Sequence, residues 1–149
     1  MSEPRRSGLT GVELVLLHAA NVAVAGSGVG CFVFRYLLVE QSEFGPGVHA
    51  WQPLAQHLHV WSSPLLVFAI GLMWRQHLVA AWRGGWGRRA TGVLLATVFF
   101  AMAASGYAVQ TAVTWAWRLA WVIVHCVTGT LWLGAFVAHQ FARRRDDAT

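Results

Sequence analysis

The sequence predicts an all-α integral membrane protein, a four-helix bundle with both termini in the cytoplasm. Three observations carry this. The chain of 149 residues is 56% hydrophobic and only 11% charged, where soluble domains carry about 25% charged residues. Its apolar residues gather into four runs long enough to cross a bilayer, at about 11–38, 55–82, 90–111 and 116–141. Its basic residues, all arginine, collect before the first run, between the second and third, and after the fourth.

The first run opens at Thr10-Gly11-Val12-Glu13, which has the form of a capping box. It continues to about Leu38, interrupted by His18, Asn21 and Arg35. Its length exceeds the 7–15 apolar residues of a secretory signal, so an uncleaved span is expected. Arg5-Arg6 only echoes a twin-arginine signal. A loop with two acids, two prolines and two glycines follows, from Glu40 to Pro53. The second run carries His57, His59, Pro64 and His77. Proline is tolerated there because a buried transmembrane site can satisfy the freed backbone group.

Arg83 to Arg89 forms a basic turn, and the third run ends beyond Ser105-Gly106-Tyr107. After a link at Ala112 to Trp115, the fourth run carries His125 and His139 and ends in Arg143 to Arg145. Arg5, Arg6, Arg83, Arg88, Arg89 and Arg143 to Arg145 then fall on one side, and Glu40 and Glu43 on the other. The positive-inside rule makes the first side cytoplasmic. This accounts for the net charge of +5 without a nucleic-acid partner. Cys31 and Cys126 stand alone within apolar runs, with no CxxC or CxxCH, and are expected as buried free thiols.

The chemistry is carried by histidines. His125 and His139 are fourteen residues apart, roughly 21 Å along a helix and some 40° around it, so they share a face. His59 and His77, eighteen apart, also share a face, at about 27 Å. Ionisable groups in hydrocarbon are costly and mark function. Two layers of histidine suit two haems b, each iron taking one nitrogen from either side. The outer site is expected from His59 and His125. The inner site pairs His139 with either His77 or His18. Gly26, Gly28, Gly30, Gly71, Gly129 and Gly134 are small enough to admit a flat macrocycle, or simply let helices pack closely, which is the reading they favour by themselves. Arg35, Arg118 and Arg75 are candidate partners for haem propionates, or simply snorkel. His57 points to the other side of its helix, and His49 lies in the outer loop as a structural group or part of a partner or quinone surface. A compact zinc or copper site is disfavoured because the ligands divide into two layers. No catalytic triad, phosphate loop or paired-carboxylate site is present.

Four spans, LLHAAN in the first, HVWSSPLLVFAIGLMWRQH in the second, SGY in the third and HCVTGTLWLGAFVAH in the fourth resemble the bacterial four-helix b-type cytochromes, broadly cytochrome b561-like, from about Val12 to Arg145. The resemblance implies that the fourth span gives one ligand to each haem, His125 and His139, that His59 completes the outer site, and that His18 completes the inner one. His77 departs from that pattern and keeps the inner pair open. The resemblance further implies a bacterial inner-membrane protein exchanging electrons with quinone or quinol, or with a periplasmic c-type cytochrome or redox-enzyme subunit, alone or in an oligomer. With so little mass outside the lipid, an electron-transfer subunit or membrane anchor is expected rather than a stand-alone enzyme. The alternatives are a haem-free membrane scaffold or assembly protein, whose histidines bond helix to helix, and a small transporter.

Overall fold

The computed structural model describes residues 10–43, 45–74, 79 and 86–146. It is mostly helical. Helix α1 spans Gly11–Phe32 and passes into a π-helical turn at Val33–Leu37; α2 spans Gln52–Met73, α3 Trp86–Thr111 and α4 Trp115–Asp146. Two three-residue strands, β1 (Glu40–Ser42) and β2 (Gly45–Gly47), pair antiparallel in the α1–α2 connection. The expected loop thus contains a short ladder, turned at Gly45 with φ +103°, a conformation suited to glycine.

The capping box forms as the sequence predicts. Thr10 Oγ1 accepts from the Glu13 amide at 3.3 Å, and Glu13 Oε2 accepts from the Thr10 amide at 2.8 Å. Helix α2 begins at Gln52, three residues earlier than expected, with a proline in its first turn. Pro64 therefore falls in the helix interior, and the helix runs through it. The Ser62 and Ser63 hydroxyls donate to the His59 carbonyl one turn before it, at 3.3 and 2.6 Å.

Among the described residues three helical stretches are long and apolar enough to cross a membrane: Gly11–Leu37, Gly92–Thr111 and Trp115–Gln140. Helix α2 is not among them. Its first half carries Gln52, Gln56, His57, His59, Ser62, Ser63 and Pro64, and only Leu65 to Met73 is continuously apolar.

The chain divides into two compact units, one up to Ala80 and one from Ala81. In the first, α1 and α2 pack as an antiparallel pair, with Gly30 beside Ala55 and Gly28 beside His59. The buried residues Leu17, Ala20, Asn21 and Val24 recur at helical spacing along α1, and Ala55, Leu66 and Ala69 along α2. In the second, a three-residue link joins α3 and α4. Val98, Phe99, Met102 and Ser105 form the α3 side of the seam, with Trp132 from α4 against Phe99 at 5.4 Å between ring centroids. Large apolar side chains point outward from both pairs, among them Trp61, Val12, Val22 and Leu131.

Candidate functional site: two anchored imidazoles

His59 sits in the middle of the α1–α2 seam, between Ala55 and Ser62 along its own helix. Its Nδ1 lies 3.0 Å from the Val24 carbonyl oxygen and 3.3 Å from Ser27 Oγ, both on α1. A carbonyl oxygen only accepts, so Nδ1 carries the proton. Ser27 Oγ donates its own proton to the Ala23 carbonyl at 2.5 Å and turns a lone pair to the ring. In the neutral imidazole the proton on Nδ1 makes Nε2 the nitrogen with the lone pair.

His125 repeats this arrangement in the α3–α4 seam. Its Nδ1 lies 3.0 Å from the Met102 carbonyl and 3.2 Å from Ser105 Oγ. The Ser105 hydroxyl donates to the Met102 carbonyl at 2.9 Å. Ser105 is only 1% exposed, so this polar pairing is shielded from water, where an unmade bond is costly.

A glycine completes each cradle. A Cβ on Gly28 would stand 2.9 Å from His59 Cε1, and one on Gly106 would stand 3.0 Å from His125 Cε1. Each ring therefore lies directly against the bare backbone of the facing helix. Gly28, expected either to admit a macrocycle or to let helices pack closely, makes room for an imidazole. Gly26, Gly71, Gly129 and Gly134 have nothing within 4 Å of a built Cβ, so space is open beside them. Gly26 and Gly30, with Ala23 and Ser27, floor an apolar cavity of ≈ 470 Å³ along α1 and α2.

The other sequence candidates fall as follows. His18 is exposed on α1, its Nδ1 bonded to the Leu14 carbonyl of its own helix at 2.7 Å. This also leaves the proton on Nδ1. His139 is half-buried on α4, and α4 is continuous from His125 to His139, as the shared-face argument requires. His77 and Arg75 lie outside the described residues. Arg35 is in the π-helical turn with its guanidinium 6.0 Å from the Tyr36 ring. Arg118, exposed in the first turn of α4, reaches the Ala112 carbonyl at 3.5 Å. His57 is exposed. Cys31 is half-buried and Cys126 exposed, both as free thiols. Cys126 follows His125 by one position, about 100° around the helix, which turns it off the seam.

His49 is a loop-building residue. Its ring stacks on Phe34 at 4.9 Å, its Nδ1 accepts from the Trp51 amide at 3.1 Å, and its Nε2 lies 3.8 Å from Glu40 Oε1. The Glu40 carboxylate also accepts from the Ala50 amide at 3.3 Å.

Ser27, Ser105 and Gly106 are the residues that sequence reasoning missed as parts of the site. Their signal is an internal repeat. Val24-Ala25-Gly26-Ser27-Gly28 in α1 matches Met102-Ala103-Ala104-Ser105-Gly106 in α3. His59 with Ser62 in α2 matches His125 with Thr128 in α4, and both hydroxyls donate back to carbonyls one turn earlier.

Among the described residues no group of three or more His, Cys, Asp or Glu is placed to hold a metal ion. An axial haem pair is a set of two nitrogens. Comparison with protein-family models, with curated proteins and with solved structures finds no match.

Proposed function

We propose that this protein is a membrane di-haem b-type cytochrome that moves electrons between the quinone pool and a periplasmic redox partner. The observation that carries the reading is the pair of anchored imidazoles. A metal-binding histidine characteristically donates its second ring N–H to a carbonyl or carboxylate, which fixes the tautomer and raises the basicity of the ligating nitrogen. His59 and His125 both do so, to main-chain carbonyls within a helical seam. A histidine serving only to join two helices needs no second acceptor for its Nδ1 proton.

In this reading His59 and His125 would hold an outer haem, and His139 with His18 or His77 an inner one. His18 carries the same Nδ1–carbonyl anchor, supplied by its own helix. Haem b supplies one-electron redox chemistry when bound. The chain's residues would supply Nε2 as the coordinating nitrogen, and Arg35 and Arg118 are the candidate cations for carboxylates at the outer surface. All four helices cross the bacterial inner membrane, with both termini cytoplasmic, and the outer connection between α1 and α2 is the face for a periplasmic partner.

A reduced-minus-oxidised visible spectrum of the purified protein tests the reading. The expected result is a b-type Soret and α band, with two haems per chain by pyridine haemochrome. His125→Ala and His139→Ala should each remove one haem, and His18→Ala compared with His77→Ala identifies the inner ligand. A protein with no reducible haem spectrum overturns the proposal and leaves a haem-free scaffold.

A further inference from the structure

The two helical pairs carry the same cradle at equivalent positions, and the match extends well beyond the histidines. In the first helix of each pair, equivalent residues are separated by 78 positions: Ala20 and Val98, Asn21 and Phe99, Val24 and Met102, Ser27 and Ser105, Gly28 and Gly106. The first three equivalent pairs, like Ser105, are buried. In the second helix the separation is 66: His59 and His125, Ser62 and Thr128, and the buried Leu66 and Trp132. The difference of twelve falls in the connection, where the first pair has the β1–β2 ladder and the second only Ala112 to Thr114.

Within this repeat many side chains have been exchanged, although Leu17 and Leu95, Ala25 and Ala103, and Leu65 and Leu131 are also identical. Asn21 is answered by Phe99, and Leu66 by Trp132. The Ser-Gly dipeptide and the histidine it faces are identical in both copies. A helical pair needs no serine or glycine at this point to close its seam, since alanine would fill it with better helix propensity. What the dipeptide supplies is an acceptor for Nδ1–H and a place for the ring.

We propose that Ser27 and Ser105 are a duplicated pair of positioning residues. With the carbonyls of Val24 and Met102, they hold His59 and His125 in the Nδ1–H form, so that Nε2 of each is the coordinating nitrogen. The hydroxyl cannot reverse this polarity, because its single proton is committed to a main-chain carbonyl in both copies. The bifurcated acceptor fixes the ring plane and draws on the Nδ1 proton, which makes Nε2 a stronger donor to a metal. The consequence for haem rests on the cytochrome reading above; the tautomer does not.

The test uses the full-length protein in lipid nanodiscs, labelled with ¹⁵N-histidine, before and after haem loading. Haem-free wild-type protein should show protonated Nδ1 and unprotonated Nε2 for both His59 and His125. Ser27→Ala should move the His59 ring resonances alone, and Ser105→Ala those of His125 alone. In loaded protein each variant should lose haem to excess apomyoglobin about tenfold faster than wild type, the scale typical of a ligand's hydrogen-bond partner. Each should also change the ferric low-spin g values, and Ser27→Thr should restore both. A proton on Nε2 of either histidine in the wild type overturns the inference, as does a pair of alanine variants with unchanged resonances and haem loss. Protein that takes up no haem yet shows serine-dependent Nδ1–H resonances removes the cytochrome reading and keeps the cradle.

Discussion

At the scale of single residues, the two glycines make the sharpest demand. The imidazoles of His59 and His125 occupy the space of a side chain on the opposite helix, so Gly28→Ala or Gly106→Ala sets a methyl carbon within about 3.0 Å of a ring carbon. The ring tip is rigid and tied by its Nδ1 bonds, so it yields only by breaking them or by parting the helices. Overpacking of this kind costs about 1–3 kcal/mol. Each substitution is expected to lower the midpoint of thermal unfolding and, under the proposed cytochrome reading, to release the haem served by that histidine. Gly26→Ala, with nothing within 4 Å of a built Cβ, serves as the matched control and should leave the midpoint unchanged. Loss of stability in Gly26→Ala equal to that in Gly28→Ala would show that helix flexibility, not the cradle, is what glycine provides. Serine and glycine are ordinary residues in membrane helices, where small side chains let backbones approach. That is why the sequence singles out Gly28 as a small residue without revealing what lies on it. The histidines are legible because ionisable groups stand out in hydrocarbon. Their partners are not, because the contact depends on residues 32 and 20 positions away.

At the scale of elements, the start of α1 was the most legible feature. Thr10 and Glu13 announce α1 by a reciprocal hydrogen bond that sequence spacing alone defines. Thr10→Ala should cost about 1 kcal/mol locally, seen as roughly fivefold faster amide exchange in the first turn of α1, with haem content unaffected. The connection between α1 and α2 was less legible. Glycines, prolines and acids mark a loop, yet its order comes from His49, stacked on Phe34 and joined to Trp51 and Glu40. Those contacts are made by a residue type that the rest of the chain uses differently. His49→Ala should loosen the loop, measured as faster proteolysis between Leu38 and Trp51, while the haem-to-protein ratio stays at that of the wild type. A fall in that ratio would make His49 part of a haem site and contradict its role as a loop residue. The internal repeat was hidden at this scale as well. The twelve-residue difference in connection length means that no single offset aligns both helices of one pair with both helices of the other.

At the scale of the whole molecule, the decisive quantity is the parity of membrane crossings. Among the described residues, length and composition qualify three helical stretches as spans and leave out α2. Three crossings would put the termini on opposite sides, whereas four put them on the same side. Two arguments favour four. The polar groups that lower the hydropathy of α2 are largely paired, His57 being exposed: Gln52 is buried and bonded to Gln56 at 2.8 Å, His59 is anchored to α1, and the Ser62 and Ser63 hydroxyls are satisfied by carbonyls of α2 itself. A helix whose polar atoms are paired presents lipid with a more apolar surface than its composition suggests. The antiparallel seam adds the second argument, because a chain that has risen through α1 must descend through α2 to keep His59 against Ser27. The arginine clusters then fall together, as the positive-inside rule asks. Reporter fusions decide the parity: a fluorescent protein that matures only in the cytoplasm and alkaline phosphatase that is active only outside it. Both termini should give fluorescence and no phosphatase activity, and a phosphatase inserted between β1 and β2 should be active. A phosphatase-positive C-terminus would mean three crossings, strip α2 of its span, and leave His59 without a site inside the bilayer.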